Sequence, residues 1–199
     1  MPKLLYAPAS PYSAKIRMAA ALHSLKLELQ TVSTSDEPDA LTSENPLGKI
    51  PTLICDDSFA VFDSRAIMQE LDRLSGKKLF PRNAEKRREA ERLEAAADGL
   101  CDALLTQVYE RRMRPAEKVH GEWLDYQARK VTRMLDWLNE NSGRVSKSPH
   151  GGHLALYAAL GYADLRFPDL NWSRGRPKLK RLVARLETVF PEITQFRPA

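Results

Sequence analysis

Short apolar runs at β-type spacing open the chain, KLLYA at 3–7 and LELQTV at 27–32. Between them, SAKIRMAAALHSL carries its apolar positions at helical spacing. Two strands joined through a helix of that length predict a βαβ unit with parallel strands. TLIC (52–55) and FAVF (59–62) flank the polar segment DDS, which is a hairpin pattern. DSRAIMQELDRLSG follows as a helix, with Asp63 or Ser64 as its N-cap and Gly76 as its stop. The order is strand, helix, strand, a short helix, strand, strand, helix: a small mixed sheet carrying helices.

The pattern changes after GKKLFPRN (76–83), a polar connector containing a proline, and no strand pattern follows it. AEKRREAERLEAAADGLCDALLTQVYERRMRP predicts one long helix, with Gly99 as a kink or a close-packing point. EKVHGEWLDYQARKVTRMLDWLNEN predicts a second, carrying Val119, Trp123, Val131, Leu135 and Leu138 at helical spacing. Trp123 and Trp137 read as core or helix-packing residues, and Trp172 in DLNWSRG as pocket lining or bundle cover. HLALYAALGYADLRF (153–167) is apolar nearly all round, which predicts a helix buried at the centre of a bundle. RPKLKRLVARLETVF (176–190) places Pro177 in a first turn and stops before Pro191. A small α/β domain followed by an all-helical one is the resulting picture.

Composition narrows the function classes. The chain has 199 residues, 43% hydrophobic and 29% charged, which is ordinary for a globular protein. No apolar run approaches the roughly 20 residues needed to span a bilayer. The opening MPKLLYAPAS has no long apolar segment of the secretory type. Cys55 and Cys101 match no metal spacing and build no disulfide framework, which suits a reducing cytoplasm. The net charge of +5 is interleaved with acids in KRREAER (86–92), a solvated helix face without the aromatic residues of a single-strand binder. The residual bias is toward an anionic small ligand.

Three stretches carry candidate chemistry. APASPYSAKIRM (7–18) sets Ser10 and Ser13 at the spacing of a redox Cys-x-x-Cys, with hydroxyls in place of sulfurs. Ser10 stands where a strand turns into a helix, and Pro11 fits the first helical position, where its missing N–H costs nothing. Ser10 is then a plain N-cap, worth about 1 kcal/mol, or the hydroxyl of an anion site at a helix N-terminus. In the second case it can donate to a thiolate and lower the thiol's pKa without becoming a covalent nucleophile. ENPLGKIPTL (44–53) leads Pro51 into a strand, either as an ordinary strand-initiating proline or after a cis peptide that turns the Ile50 backbone outward. In FDSRAI (62–67), Asp63 and Ser64 cap a helix, or hold a carboxylate while Asp63 takes an amino group. His150 and His153 invite a metal reading, but the glycines between them and the lack of acidic or cysteine neighbours argue against it.

Together, SPYS after a first strand, NPLGKIPTL, and DSRAI about twelve residues later resemble the glutathione-binding half of the cytosolic glutathione S-transferases. AAADGLCDALL, YERRMRP, WLDYQARKV and LGYADLRF resemble the helical domain of a bacterial branch of that superfamily. The resemblance implies an α/β plus all-α protein, usually a homodimer. A thioredoxin-like glutathione-binding domain would span 1–76, a linker 77–86, and an α-helical bundle domain contributing the electrophile pocket 87–199. It implies that Ser10 is the catalytic hydroxyl, with Tyr6 as its rival. Ile50 would pair its backbone with the cysteinyl unit, with Pro51 cis; Asp63 and Ser64 would hold the γ-glutamyl end, and Lys49 would face the glycyl carboxylate. Tyr12, Tyr109, Arg112 and Met113 would line the electrophile pocket.

Without a cysteine at position 10 no mixed disulfide with glutathione forms there. The expected activity is therefore attack of the glutathione thiolate on a small hydrophobic electrophile. The alternatives are a non-catalytic glutathione-binding module, or a glutathione-dependent peroxidase or etherase. Glutathione is expected as co-substrate, with no cofactor, no metal, no nucleic acid and no membrane, in the cytoplasm. The chain departs from the family at the central bundle helix, where His150-Gly-Gly-His153 replaces a Ser/Thr-x-x-Asp capping box and predicts a weakened cap.

Overall fold

The computed structural model describes residues 1–145 and 147–199. Its strands are β1 (Lys3–Tyr6), β2 (Glu28–Thr31), β3 (Thr52–Ile54) and β4 (Ala60–Val61). They form one sheet in the order β2-β1-β3-β4. β2 runs parallel to β1, with Leu4 opposite Leu29. β3 is antiparallel to β1, with Leu5 opposite Thr52, and β4 is antiparallel to β3, with Leu53 opposite Val61. The βαβ unit and the hairpin are thus both present, each strand slightly shorter than its apolar run.

The helices are α1 (Pro11–Leu22), α2 (Asp39–Thr42), α3 (Ser64–Leu74), α4 (Ala84–Arg112), α5 (Gly121–Asn141), α6 (Gly151–Arg166) and α7 (Pro177–Val189). Alternation along β1 and β3 divides the core. Leu4 and Leu53 face the main cluster shared by α1, α3 and the helical bundle. Leu5 turns the other way and packs with Val32 and Leu41 of the α2 segment, flanked by Ile50 and Ile54. α1 begins at Pro11 with Ser10 as its N-cap, the start that the proline in the first helical position predicts. α3 is capped by Asp63, which leaves Ser64 as its first residue.

α6 is buried from Gly151 to Ala163, as its unbroken apolar pattern predicts, and packs against both α4 and α1. Its two glycines explain how it sits so close. A Cβ at Gly151 would stand 2.5 Å from Phe80 Cζ, and one at Gly152 would stand 2.4 Å from the Ala90 carbonyl oxygen. The cap is kept by half: among the described residues the buried His150 Nδ1 finds no hydrogen-bond partner and its side chain does not cap the first turn, while the reverse bond of the box is made. His153 Nδ1 accepts the His150 backbone N–H at 3.4 Å, the part an aspartate plays in a capping box, and Nε2 bonds the Ser142 carbonyl at 3.2 Å. The His150 ring stacks on His153 with centroids 3.7 Å apart.

Three other expectations are corrected. Gly99 is not a close-packing point: α4 runs through it without a break, and an added Cβ would meet nothing within 4 Å. The second bundle helix begins at Gly121 rather than 117, because residues 116–118 form a separate 3-10 turn after Pro115 and His120 Nδ1 accepts the Trp123 N–H at 3.2 Å. That start turns Trp123 outward, 40% exposed, and the buried stripe of α5 is Leu124, Gln127, Val131, Leu135 and Leu138. Trp137 does pack against the core. Trp172 covers the bundle, its indole N–H bonded to Asp164 at 2.6 Å.

Candidate functional site

Strand register brings the three motif-bearing segments to one end of the sheet. β1 ends at Tyr6, β3 begins at Thr52 opposite Leu5, and β4 ends at Val61 opposite Leu53. The Ser10 turn, the Ile50–Pro51 loop and the Asp63–Ser64 helix start therefore emerge side by side.

Ser10 is extended (φ −80°, ψ 119°), and its Oγ accepts the Ser13 N–H at 3.2 Å. The hydroxyl proton of Ser10 has no acceptor among the described residues, so it remains available to an incoming anion. Ser13 itself is wholly buried. Tyr6, the rival hydroxyl, lies under the Arg17 guanidinium, which stands 4.7 Å from its ring centroid and 4.8 Å from that of Phe196. Burial in that aromatic sandwich lowers the Arg17 pKa.

The Ile50–Pro51 peptide is cis, as is Phe62–Asp63. The loop before Pro51 is organised by Asn45, which is 2% exposed. Its amide donates to the Lys49 carbonyl at 2.8 Å and to Thr52 Oγ1 at 3.3 Å, while its Oδ1 accepts the Leu47 N–H at 3.1 Å. Gly48 takes φ +60° in the same turn. Lys49 projects into solvent and Ile50 is half-buried. At the α3 start, Asp63 Oδ1 accepts the Arg65 N–H at 2.9 Å, and Ser64 is 4% exposed.

A buried ion network lies beneath these groups. Lys15 of α1 donates to Glu94 Oε1 and to both oxygens of Asp98, each at 2.9 Å. The Arg65 Nε reaches the same Asp98 at 2.9 Å. Burial raises the Glu94 pKa, partly offset by Lys15. Asp98 thus ties the N-terminal halves of α1 and α3 to α4, and with them two of the three site segments.

One turn further along α4, Asp102 accepts the hydroxyl of Tyr12. Burial raises the Tyr12 pKa, and the neighbouring Cys101 and Asp102 push in the same direction. Tyr109 and Met113 share Asp102's face of α4, seven and eleven residues on, whereas Arg112 points about 80° away around the helix. Asn45, Lys15, Glu94, Asp98 and Asp102 escape the motif reading. The only sequence signal for the last three is an acidic row at four-residue spacing within LEAAADGLCDALL, the apolar middle of an otherwise charged helix. Among the described residues no group of three or more His, Cys, Asp or Glu could hold a metal ion. Among the described residues no helix is long and apolar enough to cross a membrane.

A thioredoxin-like sheet unit whose loops converge at one end, followed by a helical bundle, defines the class. Comparison with known proteins agrees and narrows it. Residues 9–74 match the family model described as the glutathione S-transferase N-terminal domain. A glutathione S-transferase from Methylobacillus flagellatus, solved with glutathione bound, is 32% identical over 100% of both chains, with a TM-score of 0.92. A glutathione S-transferase from Methylobacterium radiotolerans, solved with glutathione sulfonate, is 32% identical over 99% of this chain and 94% of its own, with a TM-score of 0.91. The GST-like protein YibF of Escherichia coli is 27% identical, covering 92% of this chain and 93% of its own. The chain belongs to the glutathione S-transferase family.

Proposed function

We propose that this protein is a glutathione transferase in which Ser10 stabilises the glutathione thiolate for attack on a small hydrophobic electrophile. The observation that carries this reading is the state of Ser10: its oxygen is held by the Ser13 N–H at 3.2 Å, and its proton has no acceptor among the described residues. Tyr12 cannot substitute, because its proton is committed to Asp102. A free thiol with a pKa near 8.5 is only a few per cent ionised at neutral pH. One charge-assisted hydrogen bond and the α1 dipole contribute about 1.5–3 kcal/mol, a shift of roughly one to two pKa units.

In this reading the thioredoxin-like unit, 1–76, holds glutathione and the helical unit, 87–199, supplies the electrophile pocket through Tyr109 and Met113, on the α4 face that carries Asp102, the partner of Tyr12. Ile50 pairs its backbone with the cysteinyl unit, Lys49 faces the glycyl carboxylate, and Asp63 and Ser64 take the γ-glutamyl end. Two relatives of 32% identity that hold glutathione or its sulfonate support the ligand assignment. The chain works in the cytoplasm as a homodimer, and sedimentation at micromolar concentration tests the dimer directly. For the chemistry the test is Ser10→Ala. It is expected to keep glutathione binding, raise the apparent pKa of the bound thiol, and lower kcat by about 10²–10³, as for one lost oxyanion-type donor. An unchanged pH–rate profile overturns the role of Ser10.

A further inference from the structure

Asp98, Asp102, Thr106 and Tyr109 of α4 and Met113, its C-cap, recur at intervals of four, four, three and four, so they form one stripe. The lower end of the stripe is engaged: Asp98 bonds Lys15 and Arg65, and Asp102 accepts the Tyr12 hydroxyl. The upper end is open, with Tyr109 43% and Met113 63% exposed. Asp102 marks the boundary between the two. Asp98 is neutralised by two cations, but Asp102 makes no ion pair among the described residues, and Tyr12 is the one side chain bonded to its carboxylate. A phenol fixes the geometry of that carboxylate and leaves its charge in place. Tyr12 stands two residues after Ser10, in the first turn of α1, so the charge lies one tyrosine side chain from the turn that carries the thiolate-binding hydroxyl.

We infer that Asp102 is a specificity-determining residue: its carboxylate, fixed by Tyr12 at the base of the Tyr109–Met113 stripe, selects neutral or cationic aryl electrophiles over anionic ones. Asp102 acts on Tyr12 as a positioning residue and on the electrophile as a fixed charge. This rests on the glutathione-binding reading of the site. The overall charge of +5 attracts anions to the surface as a whole. Asp102, exposed at the foot of the stripe, is the negative element proposed to discriminate against a second anion once glutathione is bound. A fixed charge separated from another by several ångströms at the edge of solvent changes binding by roughly fivefold, less at high salt.

The test uses S-benzylglutathiones that carry a para methyl, trimethylammonium or carboxylate group, with dissociation constants measured by calorimetry on the full chain. The glutathione part is common to all three, so its contribution cancels in the ratio. The wild-type protein is expected to bind the carboxylate probe about fivefold more weakly than the trimethylammonium probe. Asp102→Asn is expected to bring that ratio close to one, and Asp102→Glu, which keeps the charge, to preserve most of it. Tyr12→Phe is expected to weaken all three probes together while a charge preference persists. Raising salt to about 1 M should shrink the wild-type ratio. The inference is overturned if Asp102→Asn and wild type give the same ratio, or if Asp102→Glu loses it as fully as Asp102→Asn. Failure of the transferase reading looks different: the probes bind and discriminate, but an aryl halide with glutathione gives no turnover. If S-methylglutathione itself does not bind, the glutathione site and the pocket built on it both fall.

Discussion

Lys15 is 1% exposed, and its ammonium is shared between Glu94 and Asp98 of α4, 79 and 83 positions away. A lysine this deep is stable only because two carboxylates and good geometry replace its lost hydration. Removing it leaves two buried acids facing each other, with only Arg65, itself half exposed, to answer them. Lys15→Met is therefore expected to cost about 3–5 kcal/mol of unfolding free energy. Adding Glu94→Gln should return part of that loss, because one unpaired charge is gone. Urea titration of the single and double variants measures both, and a loss below about 1 kcal/mol for Lys15→Met would mean that the network contributes nothing net. The contrast with Ser10 shows what could be read in advance. Ser10, Asp63 and the Ile50–Pro51 segment act through neighbours two to four residues away, so their local patterns carry the information. Lys15, Asp98, Asp102 and Tyr12 acquire their roles across the α1–α4 contact, and a one-dimensional pattern contains no term for that contact.

At the scale of elements, every strand and every long helix was legible from apolar patterning, although β2, at the sheet edge, buries neither face, whereas α6 buries all of its own from Gly151 to Ala163. The glycines were not. Gly99 lies in the middle of a helix and looks like a packing device, yet a Cβ there meets nothing within 4 Å. Gly151 and Gly152 look like a loop, yet they are where α6 touches Phe80 and the α4 backbone. Whether a glycine is needed depends on the partner surface, which local pattern does not reveal. Substitution separates the two cases. Gly152→Ala forces a methyl to within 2.4 Å of the Ala90 carbonyl, which is backbone and cannot rotate away. The expected loss is about 2–3 kcal/mol, larger than the helix-propensity gain of about 1 kcal/mol. Gly99→Ala should keep that gain and stabilise by about 0.5–1 kcal/mol. Opposite shifts in melting temperature for the two variants are the expected result. A neutral Gly152→Ala would show that α6 can move off α4 at little cost.

At the scale of the whole molecule, the start of α6 joins the two halves. It packs on α4, its Gly151 N–H bonds the Leu79 carbonyl of the connector at 2.9 Å, and its body meets α1. The same turn holds His150 and His153, whose pKa values are lowered to about 4 and about 3, chiefly by burial. For His153 the charge on a protonated His150 adds to the effect, and the Ser142 carbonyl opposes it. His23 is lowered too, by burial and then by Lys78. An unfolded histidine titrates near 6.5, so below that pH the unfolded chain binds protons that the native state refuses. The stability supplied by these neutral imidazoles is complete above about pH 6.5 and is lost as the pH falls toward the folded values. His150 and His153 each contribute up to about 1.4 kcal/mol per pH unit within that window, and the half-exposed His23 acts in the same direction. Unfolding free energy from urea titrations is therefore expected to fall steeply between pH 6.5 and 4.5, with both halves lost in one transition. His153→Asn keeps an acceptor and a donor for the His150 N–H and the Ser142 carbonyl but cannot be protonated. It should make that slope shallower without removing it, because His150 and His23 still titrate. An unchanged slope in His153→Asn would mean that the acid sensitivity of the fold arises elsewhere than at the turn joining its halves.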